Sequence, residues 1–295
     1  MVKEHKGEEV IFMATDRCNA KCKHCHLEFK GSFKGERLQE LAGNATKKHS
    51  IVELNGAEVL LHPEYLPVLD QINQNWVLTN GIEIARNPRI LETARNNGID
   101  TVGLSHHFDS QESLSPVRAS MLEDVSKTVL DAGLKLRLLT AVNQDNYKNI
   151  IPICDRATKL GASIISFFNM VKSGNAHDLA NSFLTDEQMQ ECLALIEQAR
   201  SMYDVDVLKV GRSGTFGAQD GKEKKFKCTA GHNLVVVTPD EKVKPCMFLS
   251  GPQYEIGHIE DGSIVIDKEL HHDGSKCLVH EIANRGVNFD DYMEK

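Results

Sequence analysis

The chain has 295 residues, 41% of them hydrophobic and 26% charged, with a formal net charge of −8. Such a composition suits an ordinary globular protein, long enough for a core that buries roughly 75% of the unfolded surface. No Lys/Arg block stands out beyond short runs such as Lys222–Lys225, which disfavours a nucleic-acid role; the opening residues lack the apolar stretch of a signal peptide, and no run reaches the ~18 apolar residues of a membrane span. A cytoplasmic protein with no nucleic-acid and no membrane partner is expected.

Over the first two-thirds of the chain, short apolar strands alternate with amphipathic helices. A strand at 10–15 ("VIFMAT") precedes a helix at 36–48, a strand at 50–55, a helix at 64–74 and a strand at 76–80. A helix at 87–97, a strand at 100–105, a helix at 117–132 and a strand at 134–142 follow. The series closes with a helix at 146–160, a strand at 163–170 and a helix at 186–203. Gly98, Gly133 and Gly161 stand where helix C-caps belong, and "TDEQ" at 185–188 is a capping box. Strand–helix alternation predicts parallel strands joined by right-handed crossovers, in a doubly wound sheet or a barrel. Six such units suit a partial (β/α)6 TIM-like barrel better than a closed eight-stranded one.

The pattern changes after residue 212. "RSGTFGAQDGKEKK" reads as a linker or surface loop. Two hairpin patterns follow, "HNLVVVTPDEKVKPCMF" turning at "PDEK" and "YEIGHIEDGSIVI" turning at "EDG". The expected organisation is an α/β unit over 1–212 and a small α+β unit over 213–295.

Eight cysteines punctuate this plan. Cys154 and Cys192 lie on the apolar faces of predicted helices and read as core residues. The other six form two groups of three. Cys18, Cys22 and Cys25, spaced C-x3-C-x2-C, follow the first strand, on the side of a parallel α/β fold where ligands bind. Three thiolates suit a [4Fe–4S] cluster with one open iron. A zinc site completed by His24 or His26 is the alternative, although zinc ligands usually come in pairs.

In this spacing and position the chain resembles the radical SAM enzymes. The resemblance implies that Cys18, Cys22 and Cys25 ligate three irons and that S-adenosylmethionine occupies the fourth. One electron then cleaves the sulfonium to methionine and a 5′-deoxyadenosyl radical. His24 takes the position that touches adenine. "NGAEVLLHPE" (55–64) resembles the loop that binds the methionine amino group, with Gly56, Ala57 and Glu58 in place, Ala57 replacing a glycine and Val59 a proline. "LTNG" (78–81), with Asn80, matches the segment common after the third strand. "VGLSHHFDS" (102–110) makes Ser105 a cofactor contact, and Asn143 is a ribose candidate. For Ser105 and Asn143, turn formation is an equal alternative.

"CTAGHNLVVVTPDEKVKPC" (228–246) resembles the start of the SPASM and Twitch extensions that carry auxiliary [4Fe–4S] clusters. Glu241 stands where those extensions have glycine. Cys277 is the one further cysteine, so the shorter Twitch type is implied, with Cys228, Cys246 and Cys277 as ligands. That set is again one short: a substrate atom, His232 or His280 fills the place, or the cluster serves as an electron acceptor. A zinc-binding or metal-free knob is the non-cluster alternative.

The resemblance implies hydrogen abstraction from a C–H bond of a small-molecule or peptide substrate, leading to oxidation, cross-linking or rearrangement. A reductant such as flavodoxin or ferredoxin is implied as partner. Epimerisation is disfavoured because it commonly needs a free thiol, and a glycyl-radical activating enzyme is disfavoured by the Twitch pattern. An iron–sulfur electron carrier is the non-enzyme alternative. With the first strand near residue 9, no winged-helix extension for a leader peptide is expected. His106, His107, Asn169, Lys172 and Arg212 are substrate-pocket candidates at predicted strand ends.

Overall fold

The computed structural model describes residues 3–179, 181–212 and 227–293. The expected linker at 213–225 lies outside the described residues, as do the termini. The six expected strands form: β2 (Glu9–Met13), β3 (Ile51–Asn55), β4 (Trp76–Thr79), β5 (Thr101–Ser105), β6 (Lys135–Val142) and β7 (Ile164–Asn169). A two-residue strand, β1 (Lys3–Glu4), precedes them, and a strand that the sequence pattern does not announce, β8 (Lys209–Arg212), follows. β4 to β8 make one five-stranded parallel sheet in chain order.

The strand that leads into the cysteine loop is apolar on both faces, as a strand covered on both sides must be. In β2, Val10 and Phe12 pack with Leu38 and Leu41 of α1 (Gly35–Ala45), while Ile11 and Met13 cluster with Phe29 and Val236 on the other face. Expected helices often shorten to fit their loops. The 64–74 helix is α2 (Leu66–Gln71) behind a 3-10 turn, and Pro88 separates α3 (Ile82–Arg86) from α4 (Ile90–Asn96). The short α5 (Gln111–Leu114) precedes α6 (Ala119–Asp131), and α7 (Ile150–Lys159) and α8 (Asp186–Met202) complete the outer layer. Gly98, Gly133 and Gly161 take the left-handed conformation at helix ends, and the Thr185–Gln188 capping box is formed. Cys154 and Cys192 are fully buried on α7 and α8.

The wall continues past a gap between β3 and β4 that no ladder bridges. Gln74, buried, fills it. Its Oε1 accepts from Leu54 N (2.7 Å), and its Nε2 donates to Leu54 O (3.0 Å) and Trp76 O (2.9 Å). One carboxamide thereby does what a short stretch of strand would do for backbone groups that must be paired when buried.

The C-terminal segment is built into the same wall. β9 (Leu234–Val237) pairs in parallel with β2, then turns antiparallel into β10 (Lys242–Lys244). β11 (Gly257–Glu260) and β12 (Ser263–Ile266) form the second hairpin, turning through Asp261 and Gly262, both at positive φ as a type I′ turn requires. β12 pairs with β1, giving the seven-stranded order β1-β12-β11-β10-β9-β2-β3. The whole is a partial α/β barrel whose parallel strands deliver their C-terminal ends to one side.

Candidate active site

The cysteine loop leaves β2 on that side. It is pinned where it starts and ends: Thr15 Oγ1 bonds Ser32 Oγ (2.6 Å), Asp16 N donates to Gly31 O (2.9 Å) and Phe33 N to Ala14 O (2.9 Å). Its middle is held by other strand-end loops. Lys23 N (2.8 Å) and His24 Nδ1 (3.2 Å) both donate to Leu114 O, at the end of α5. Asn175, after β7, donates from its backbone to Cys25 O (2.8 Å) and from Nδ2 to Cys22 O (3.1 Å). Between these contacts lies Gly174, at φ +56, where a Cβ would stand 2.6 Å from Cys25 O. Only glycine permits that approach.

Cys18 is exposed, Cys22 and Cys25 are half-buried, and all three are free thiols. Cys18 Sγ accepts from Ala20 N (3.3 Å) and Asn80 Nδ2 (3.4 Å); Cys22 Sγ meets Ser115 Oγ at 3.4 Å. Desolvation raises the Cys18 thiol and pushes Cys22 up to about 11, with the charges of Cys25 and Glu58 adding to both. Such thiols need a cation to ionise, which iron would supply. Among the described residues no three His, Cys, Asp or Glu side chains gather as ligands of a single ion. Three free cysteines on one strand-end loop are the donor type that a [4Fe–4S] cluster takes.

Gly56, Ala57 and Glu58 leave β3 beside this loop. Ala57 donates to Thr15 O (2.9 Å) and is absent from the residues at positive φ, so alanine serves at the glycine position without backbone strain. Glu58 is fully buried. Its Oε2 accepts from Asn80 N (2.8 Å), and its Oε1 is left without a hydrogen bond. Burial outweighs the hydrogen bonds from Asn80, Thr79 and Leu60 and raises the carboxyl to about 7. An orphaned carboxylate oxygen near Cys18 is a ready partner for an ammonium group. Asn80 links the two features, with Oδ1 accepting from Ile82 N (2.9 Å) and Nδ2 also reaching Asn19 Oδ1 (2.8 Å).

Ser105 ends β5, half-buried, and two buried histidines follow it. His107 Nδ1 accepts from Ala141 N (3.1 Å) and His106 Nδ1 from Phe108 N (3.1 Å), so each neutral ring carries its proton on an Nε2 that is buried without a partner. Burial lowers His106 to about 4 and holds His107 well below the usual imidazole range, which keeps both neutral at pH 7. The His107 ring stands edge-on to His24, 4.4 Å between centroids. The fold thus brings the three cysteines, His24, Glu58, Asn80 and His107 into one neighbourhood.

The remaining candidates are placed differently. Asn143 is fully buried, its Oδ1 accepting from Ser110 Oγ (3.0 Å), Asp145 N (3.0 Å) and Asn146 N (3.2 Å), the bonding of an Asx turn. Asn169 is buried, with Nδ2 3.7 Å from Met189 Sδ. Lys172 is exposed on a loop whose backbone donates to Asn284 Oδ1 (2.9 Å). Arg212 ends β8 in register with Phe167. Sequence reasoning missed Ser115, Leu114, Gly174 and Asn175. Leu114 acts through its backbone carbonyl and Gly174 through a bare Cα, and Asn175 bonds only backbone carbonyls of the cysteine loop, so no side-chain pairing in the sequence announces them.

Cys228, Cys246 and Cys277 meet beside β9 and β10. Cys228 and Cys277 share a hydrogen bond that draws the Cys228 thiol down to about 6 and raises Cys277, while burial pushes Cys246 up to about 12. Glu241 adopts φ +59, the glycine-like conformation its position requires, and Arg37 grips its carboxylate with two 2.8 Å bonds.

The fold and this loop define a partial α/β barrel with three free cysteines on a loop at the open ends of its strands. No family model matches the chain. The subtilosin biosynthesis protein AlbA of Bacillus subtilis is 23% identical over 84% of this chain, which spans 56% of AlbA. A protein of Methanococcus maripaludis named "Probable GTP 3',8-cyclase" is 25% identical over 79% of this chain and 82% of its own length. In fold, the chain is similar to Streptococcus suis SuiB, solved bound to precursor peptide SuiA, with a TM-score of 0.68 at 14% identity, over 86% of this chain and 62% of SuiB. In sequence and in fold, then, the chain is similar to radical SAM enzymes. Among the described residues no helix is long and apolar enough to cross a membrane.

Proposed function

We propose that this chain is a radical SAM enzyme that abstracts hydrogen from a C–H bond of a peptide substrate. The carrying observation is the juxtaposition of three free cysteines with a buried carboxyl whose Oε1 is unpaired. When bound, a [4Fe–4S] cluster and S-adenosylmethionine supply the one-electron cleavage that yields methionine and a 5′-deoxyadenosyl radical.

Cys18, Cys22 and Cys25 would hold three irons and leave the fourth for the cofactor's amino and carboxylate groups. Glu58 Oε1 would accept from the ammonium, a contact that keeps its carboxyl ionised despite burial. Asn80 orients both partners, through its amide to Glu58 and its side chain to Cys18. His24, clamped on Leu114 O and braced by His107, presents a ring for adenine to stack against. Ser105 stands within the same strand-end region for a polar contact.

A peptide is favoured over a small molecule because AlbA belongs to bacteriocin biosynthesis and SuiB holds a precursor peptide. Epimerisation by a thiol hydrogen donor finds no support, since Cys154 and Cys192 are sealed in the core. Cys228, Cys246 and Cys277 are assigned an auxiliary cluster, and flavodoxin or ferredoxin the reduction of the first. The test is anaerobic reconstitution followed by dithionite and S-adenosylmethionine. Formation of 5′-deoxyadenosine that disappears in Cys18→Ala is expected; zinc without iron, or no deoxyadenosine, refutes the assignment.

A further inference from the structure

We propose that His272 Nδ1 is the fourth protein ligand of the cluster held by Cys228, Cys246 and Cys277. The inference rests on reading those cysteines as a cluster site. His272 Nε2 lies 2.8 Å from Ala230 O. A carbonyl only accepts, so Nε2 carries the ring proton and the neutral ring keeps its lone pair on Nδ1. That nitrogen is buried and has no hydrogen-bond partner. An imidazole that donates one nitrogen to a backbone carbonyl and offers the other is the usual arrangement of a metal-bound histidine.

The surrounding backbone places His272 close to Cys228, near enough for its charge to bear on that thiol. Ala230, which anchors the ring, is two residues beyond Cys228. In return Cys228 N donates to Gly274 O (2.9 Å), two residues beyond His272. The approach is close: a Cβ on Gly274, at φ +71, would stand 2.8 Å from Cys228 O. The His232 ring, 4.6 Å away and tilted by 44°, braces the plane of His272.

The two histidines nearest the cysteines in sequence are engaged elsewhere. The His232 ring bonds the backbone of His272. His280 Nδ1 faces the Asn284 amide at 3.2 Å and accepts from it, which leaves the proton on Nε2, 3.7 Å from Asp186 Oδ1. Of these three imidazoles, His272 alone offers a buried, unpaired lone pair. A neutral nitrogen in place of a fourth thiolate lowers the cluster's negative charge and raises its potential. It also closes the coordination site, so substrate does not bind this cluster through iron.

The experiment uses the full chain carrying Cys18→Ala, Cys22→Ala and Cys25→Ala, reconstituted anaerobically with iron and sulfide, reduced, and kept free of S-adenosylmethionine. About four irons per chain are expected, with a 14N hyperfine coupling in pulsed EPR. His272→Ala in that background should lose the coupling, His232→Ala should keep it, and His272→Cys should restore four-iron loading with a more negative potential. Four irons with no nitrogen coupling, or a coupling that survives His272→Ala, overturns the ligand assignment while leaving the cluster. Absence of iron overturns the cluster reading itself, and the ligand with it.

Discussion

Gln74 pairs with the backbone of Leu54 as a neighbouring strand would, accepting from its N–H at 2.7 Å and donating to its C=O at 3.0 Å. Since Trp76 O is bonded by the same amide, one side chain joins the two sheets of the barrel wall. The loop of Glu58 leaves the first sheet and that of Asn80 the second, and the Asn80 N–Glu58 Oε2 bond (2.8 Å) spans the same seam. Alignment of the two halves of the site therefore depends on Gln74.

Gln74→Ala should strand the buried N–H and C=O of Leu54, at about 1–3 kcal/mol for each group. A fall in Tm of several degrees is expected by calorimetry. Gln74→Glu should recover little, because a carboxylate accepts from Leu54 N but cannot donate to Leu54 O. A glutamate variant as stable as wild type would refute the bridging role.

Gly174→Ala should damage the cysteine loop without touching a thiol. Its left-handed φ and the 2.6 Å approach to Cys25 O leave no room for a Cβ. The strain amounts to about 1–3 kcal/mol and is relieved only if the loop shifts. Iron bound per chain after reconstitution should fall, while the far-ultraviolet circular dichroism stays native. Unchanged iron content would show that the loop tolerates the shift.

Glu58 predicts a pH dependence of the cofactor-free protein. Burial raises its carboxyl from 4.5 to about 7. The fold therefore holds this proton more tightly than the unfolded chain does. The stabilising contribution is complete below about pH 4.5 and is lost as pH rises through 7, a change on the order of 3 kcal/mol. Glu58→Gln cannot ionise, so its stability advantage over wild type should grow between pH 5 and pH 8 in urea titrations. Parallel stability profiles would rule this out.

Cys228→Ala and Cys246→Ala should leave S-adenosylmethionine cleavage within a few-fold of wild type and stop conversion of the peptide. Deoxyadenosine and product are measured in the same reaction. Full product formation by Cys228→Ala would remove the second cysteine set from the mechanism.

The chemistry was legible where it is local. C-x3-C-x2-C directly after an apolar strand places three thiols at a strand end whatever the rest of the chain does. The periods of strands and helices likewise announced the parallel repeat from β2 to β7. For Asn143 the sequence offered a turn and a ribose contact alike, and the structure shows Oδ1 closing a turn while Nδ2 stays buried without a partner. β8 was not legible, being four residues of which Val210 alone is apolar, although α8 precedes it as a crossover helix would.

By itself, the sequence determined the cysteine loop, the six strand–helix units and the two C-terminal hairpins, since each depends on residues close together in the chain. Tertiary structure alone decided that β9 joins β2, that Gln74 closes the seam, that Gly174 presses on Cys25, and that His272 Nε2 bonds Ala230 O and leaves Nδ1 buried without a partner. Those relationships join backbone groups and lone pairs distant in sequence. Every residue carries the backbone groups, and the lone pair of His272 acquires its meaning from what its other nitrogen has bonded.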